Sequence, residues 1–229
     1  MRAWIAAAVL ALLAAPAGAK DAPPAAKDWL RHIVSRCIDA SPTDYCDRCL
    51  RPQPGRCGKT ACADETVVWD ESADFVAIRD RKMCGCGGGF VHGLALPRAP
   101  VAGVEDPRRP AGIWAFAWKA ARGKIPDEDR ILLAVNGPQR RSQDQLHVHL
   151  IRLARSGRER LAALDPEKVS RLDEIWPAAA RSAARQGLRG WYGVAAARDA
   201  SGKGFIVAAD GEGHPETRFG VALCDERVR

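Results

Sequence analysis

The chain has 229 residues, with 35 Lys and Arg against 28 Asp and Glu and a formal net charge of +7. That length is enough for one domain with a real core, and no stretch after residue 19 is apolar enough to span a bilayer as a helix, so the rest is expected to be soluble. The basic excess suits phosphates or acidic lipid headgroups, but the charges are scattered and do not alternate with aromatic residues, so nucleic acid is not an expected partner.

Residues 1–19 read as a secretory signal peptide. Arg2 gives a short basic start, Trp4 to Leu13 is apolar, and Ala17-Gly18-Ala19 supplies small residues at the cleavage positions. The apolar run falls short of the ~20 residues of a spanning helix; an uncleaved anchor is the alternative. Residues 20–27, rich in Pro and Ala, read as a mobile leader. Asp28 then looks like an N-cap, with Trp29, Ile33, Val34 and Cys37 at helical spacing behind it.

Residues 41–62 form a Cys-rich insertion, most of it Pro- and Gly-rich loop. Gly58-Lys59-Thr60 within it lacks the glycine that a phosphate loop needs at Gln53. The eight cysteines are Cys37, Cys46, Cys49, Cys57, Cys62, Cys84, Cys86 and Cys224. An even count behind an export signal favours disulfides. Zinc is the rival, because Cys46 with Cys49 and Cys84 with Cys86 stand at ligand spacing.

Strands are expected at Thr66 to Trp69, Phe75 to Ile78 and Phe90 to Leu96, the last two joined by a Gly-rich hairpin connection at Cys84 to Gly89. Pro110 to Arg122 reads as a helix whose Trp114 and Trp118 belong to the core. Ile131 to Val135 is a buried strand, Asn136 to Asp144 a polar turn, and Gln145 to Leu153 a further strand. A helix bent at Pro177 spans Pro166 to Gln186. Strands at Gly190 to Arg198, Gly204 to Ala209 and Phe219 to Cys224 close the chain. Hairpin-linked strands with separate helices indicate an α+β fold on an antiparallel sheet.

Chemistry is expected on the strand carrying His147-Val148-His149. Alternation along a strand puts Gln143, Gln145, His147 and His149 on one polar face, and Leu146, Val148 and Leu150 on an apolar one. Two imidazoles beside amides and the basic pair Arg140 and Arg141 suit displacement at phosphorus, with a neutral ring as nucleophile and donors for the developing charge. The residues alone leave two other readings open. One is a metal pair with His92 or Asp144 as a third ligand; the other is two surface histidines with no role.

These residues resemble the histidine-triad superfamily of nucleotide hydrolases and transferases. The resemblance rests on Leu133-Ala134-Val135-Asn136, the seven-residue step to Gln143, and the run Ser142-Gln143-Asp144-Gln145-Leu146-His147-Val148-His149-Leu150. Within it, Asn136, Arg141-Ser142-Gln143 and the histidine run look most like the bacterial CDP-diacylglycerol pyrophosphatases.

The resemblance implies a histidine-triad-like (HIT-like) antiparallel sheet with flanking helices over residues 28–155, and a looser C-terminal α/β extension over 156–229 that completes the domain. It implies hydrolysis of CDP-diacylglycerol to CMP and phosphatidate through a histidinyl-CMP intermediate. His149 would be the nucleophile, His147 its support, and Asn136, Gln143, Ser142 and Arg141 the substrate-binding residues, with no metal or other cofactor. A Cys37–Cys62 bridge, paired subunits, a lipid-linked nucleotide substrate at the membrane surface, and a periplasmic or outer-face inner-membrane location follow from the same source. The alternatives are another nucleotide conjugate as substrate, or an exported metal-binding protein using Cys and His. The pattern departs from the superfamily at Ile151, where a third histidine is usual.

Overall fold

A computed structural model describes residues 26–32, 34, 68–83, 86 and 89–224. The expected signal, the Cys-rich insertion and the Cys37–Cys62 bridge lie outside the described residues. Eight strands form one antiparallel sheet: β1 (Val68–Glu71), β2 (Phe75–Arg79), β3 (His92–Pro97), β4 (Ile131–Val135), β5 (Val148–Arg152), β6 (Glu167–Val169), β7 (Gly193–Arg198) and β8 (Phe205–Asp210), in the order β1-β2-β3-β5-β4-β7-β8-β6. Among the described residues five helices flank it: α1 (Trp29–His32), α2 (Ile113–Arg122), α3 (Gly157–Ala162), α4 (Ile175–Arg185) and α5 (Pro215–Phe219). The fold is α+β, as the hairpin-linked strands imply. Among the described residues no helix is long and apolar enough to cross a membrane.

Both faces of the sheet are covered. One packs on α2 and α4 through Leu133, Val135, Leu146, Val148, Leu150, Val194 and Val207, with Trp114 fully buried against Trp176 at a ring separation of 4.7 Å. The other carries Leu132, Ala134, Ile151 and Leu153 under Leu161 of α3 and Phe219 of α5, and Val76, Ile78, Leu94 and Leu96 under Leu30 of α1. This two-sided burial explains why β4 reads as an unbroken apolar run, Ile-Leu-Leu-Ala-Val.

Three expectations are corrected. The helix placed over Pro166 to Gln186 is instead strand β6, a 3-10 turn at Leu172–Glu174 and helix α4. Pro177 lies in the first turn of α4, where no i−4 carbonyl awaits its missing N–H, and so it bends nothing. The strand expected over Phe219 to Cys224 is the end of α5 followed by a single bridge, Leu153 to Gly220. Finally, the face carrying the histidines is not a solvated polar surface. It is the second buried face, roofed by α5.

Of the cysteines within the described residues, Cys86 and Cys224 form a disulfide. It ties the connection between β2 and β3 to the C-terminal segment.

Candidate functional site

Strand parity assembles the site. On the face roofed by α1, α3 and α5, the apolar series Val76, Ile78 continues to Asp80 past the end of β2. Leu96, Leu94 leads back along β3 to His92, and Leu132, Ala134 continues to Asn136 past β4. On β5 the same parity gives His149 and Ile151, and it extends back to His147 just before the strand. Since β5 pairs with both β3 and β4, His149 sits directly between Leu94 and Ala134 in the ladder. Polar side chains thus take over where the apolar stripes run out, at one end of the central strands.

His149 is 4 % exposed and makes contacts through both ring nitrogens. Its Nδ1 lies 3.1 Å from Nε2 of His92, and its Nε2 lies 3.3 Å from Nδ2 of Asn136 and 3.3 Å from Oε2 of Glu216. Asn136 also donates to Glu216 at 2.8 Å. Lys82 pairs with the other oxygen of Glu216, which is itself 3.4 Å from Nε2 of His92; Asp80 stands at 3.4 Å from the same nitrogen. His147 donates from Nδ1 to the Gln145 carbonyl at 2.7 Å, which fixes its tautomer and leaves a lone pair on Nε2.

Burial holds all three imidazoles below the usual histidine range. His149 is furthest down, because the neighbouring His147 and His92 rings and Lys82 also disfavour its charge. The rings are therefore neutral at neutral pH and keep a lone pair for bonding. Burial works against ionisation of Glu216 too, but the Lys82 ammonium, helped by the Asn136 amide, outweighs it and holds the carboxyl below its usual value.

These groups line a cavity of about 380 Å³, with Arg140, Ser142, Gln143, His214 and Thr217 on its walls. Asn136, Ser142, Gln143, His147 and His149 thus line one cavity. Arg141 does not line the cavity: its guanidinium is held by Glu105 at 2.7 Å and Asp144 at 3.0 Å, while its neighbour Arg140 lines the wall. Gln143 lies at the edge, accepting from the backbone of Leu30 at 2.9 Å and donating to Ser142. That contact anchors α1 to the cavity rim.

Asp80, Lys82, His92, His214 and Glu216 joined the site without any local motif to announce them. His92 is a possible third metal ligand in the sequence, with no motif that brings it here. The one available signal for Asp80 was parity with Val76 and Ile78. Donor atoms of Asp80, His92 and His149 lie within 4.8 Å of one another, close enough to converge on a small cation. The Lys82 ammonium, paired with Glu216, already supplies positive charge at that point.

Fold and site together define an α+β protein with a histidine-centred polar cavity. Residues 27–179 match the family model described as CDP-diacylglycerol pyrophosphatase. The chain belongs to that family. It is also 32% identical over 112 residues to a CDP-diacylglycerol pyrophosphatase of Yersinia pestis, an alignment covering 44% of this chain and 40% of the relative. The chain thus spans less than half the length of that relative.

Proposed function

We propose that this protein hydrolyses the pyrophosphate bond of CDP-diacylglycerol, releasing CMP and phosphatidate, through a covalent intermediate on His149. The observation that carries the reading is the neutral, buried imidazole of His149 with its Nε2 beside the Asn136 amide, on the wall of the cavity of a chain in this family. A cavity of about 380 Å³ is at the small end of ligand pockets, which run from roughly 300 to 1,000 Å³. It suits a nucleotide headgroup and leaves the acyl chains outside, toward a membrane surface.

In this scheme Nε2 of His149 attacks the phosphorus on the cytidine side and phosphatidate leaves. Asn136 orients the attacking ring. Arg140, Ser142 and Lys82 face the negative charge that builds on the phosphoryl oxygens. Water then attacks the histidinyl-CMP, giving its proton to Nε2 of His147, the nitrogen whose lone pair the Gln145 contact preserves. Gln143 acts by holding the rim against α1. The Cys86–Cys224 bridge is in keeping with an exported protein whose site works at the outer face of the inner membrane.

The test is CMP release from the lipid with chelator present, together with trapping of labelled enzyme by alkaline quench, which preserves a P–N bond. Wild type is expected to form the adduct, and His149→Ala to lose both adduct and turnover by roughly 10⁴-fold. An adduct that persists in His149→Ala and vanishes in His147→Ala would reverse the roles of the two rings. Preference for a soluble nucleotide conjugate over the lipid would move the reading to a different substrate, and activity abolished by chelator would move it to a metal site.

A further inference from the structure

Among the described residues the exposed large apolar side chains are Trp191, 59% exposed, and Leu223. Trp191 is held in water by a pinned segment. Gly190, at a φ of +75°, turns the chain from the end of α4 towards β7. Before the turn, Leu188 packs over Gly211, where a Cβ would meet its Cδ2 at 2.9 Å. After it, Tyr192 packs against the core, and its backbone lies against Gly137, which donates to the Gly213 carbonyl at 2.9 Å. Both flanks are fixed, and the indole between them stays outside.

The ring shares a recess with Pro138, Arg140 and Gly213. Arg140 also lines the cavity that holds His149, so Trp191 stands one side chain away from the cavity wall. Arg140 and Arg189 are both exposed, and neither guanidinium has an ion-pair partner among the described residues. The acidic group in the recess, Glu212, is matched by Arg218, which also pairs with Asp210. The patch is thus an indole beside two unpaired cations.

We infer that Trp191, Arg189 and Arg140 form a docking surface for an anionic phospholipid bilayer. An indole is most at home at the level of the lipid headgroups, where its ring meets acyl carbon and its N–H meets water. Exposed arginines add attraction to anionic headgroups over about a Debye length. A protein partner fits less well, because one ring is far less apolar area than a stable protein interface buries. What docking achieves rests on the proposed diphosphatase reading: it sets the cavity rim on the surface where the acyl chains of the substrate stay. The docking itself needs no substrate.

The experiment measures binding of the full, oxidised chain to vesicles of phosphatidylglycerol and phosphatidylcholine, and to phosphatidylcholine alone. Wild type should prefer the anionic vesicles and lose affinity as salt is raised. Trp191→Ser should bind them about tenfold more weakly. Arg189→Gln should bind them about fivefold more weakly. Leu223→Ser, which removes an exposed apolar side chain outside the patch, should stay within about twofold of wild type. Quenching by brominated lipid is read as the difference between wild type and Trp191→Phe, in which the other six tryptophans cancel. That difference should be positive on anionic vesicles. A Trp191→Ser protein that binds as wild type does, with no quenching difference, overturns the inference, and so does an equal loss of binding in Leu223→Ser. If residues 1–19 hold every variant on the vesicle, the quenching difference alone decides. Wild type that docks through Trp191 but releases no CMP would defeat the diphosphatase reading alone; CMP release without such docking would defeat this inference alone.

Discussion

At the scale of single residues, the site is a set of neutral rings and one carboxylate kept charged by its partners. The folded His149, His147 and His92 resist protonation, so below the ordinary histidine value of 6.5 the unfolded chain binds protons that the folded chain does not. Stability therefore falls as pH drops through that value; urea midpoints measured between about pH 7.5 and pH 5.5 should decline steadily. The same shift keeps a lone pair on His149 at mildly acid pH, so with His149 as the proposed nucleophile the acid limb of the kcat profile should have its midpoint below 6.5. Glu216 faces the approach to Nε2 of His149 and repels an anion there. Glu216→Gln should tighten CMP binding by about tenfold, read by isothermal titration. Lys82→Ala leaves that buried carboxylate without its cation. It should cost about 1–3 kcal/mol of stability, less than a fully buried pair because Lys82 is 38% exposed.

Elements decide which of these residues meet, and here the sequence was readable only in part. Short apolar runs located β2 and β4, and period-two alternation located β5 and put the two site histidines on one face. The boundary of β5 was missed, because Gln145 to His147 precede the ladder and Gln145 donates instead to the carbonyls of Pro97 and Ala99. The helix α5 was unreadable for a different reason. Five residues, Pro-Glu-Thr-Arg-Phe, carry too little periodicity to outweigh the strand-like Phe219 to Cys224 that follows, and α5 holds by tertiary packing of Phe219. That packing is tight. A Cβ placed on Gly157 of α3 would meet the Phe219 carbonyl oxygen at 2.0 Å. Gly157→Ala should push α5 off the sheet, lowering stability by about 2–4 kcal/mol in denaturant titrations and reducing turnover with it, since Glu216 rides on that helix.

For the whole molecule, one sheet runs from β1 to β6 with no break between the part matching the family model and the part beyond it. β4, at the centre, pairs with β5 on one side and with β7 on the other, so the C-terminal strands complete the sheet that holds the histidines. The sequence suggested a looser C-terminal extension because its motifs are weak, whereas its burial is as complete as that of the core: Val194, Ala195, Val207, Ala208 and Phe219 are all fully inaccessible. The Cys86–Cys224 bridge closes a loop of sequence separation 138. Replacing both cysteines with serine should lower stability by about 2–4 kcal/mol, measured by thermal unfolding without reductant.

The roof over His149 has a consequence in time as well as in space. Glu216 and its helix lie near the end of the 229 residues, while His92, Asn136 and His149 are made much earlier. During synthesis the histidine strands can pair before α5 exists, and at that stage the rings have neither their carboxylate nor their cover. The nascent chain therefore carries these imidazoles in an incomplete setting, and the activity proposed for the site, cleavage of a phosphoric anhydride, arrives as a late event of folding, coupled to closure of α5.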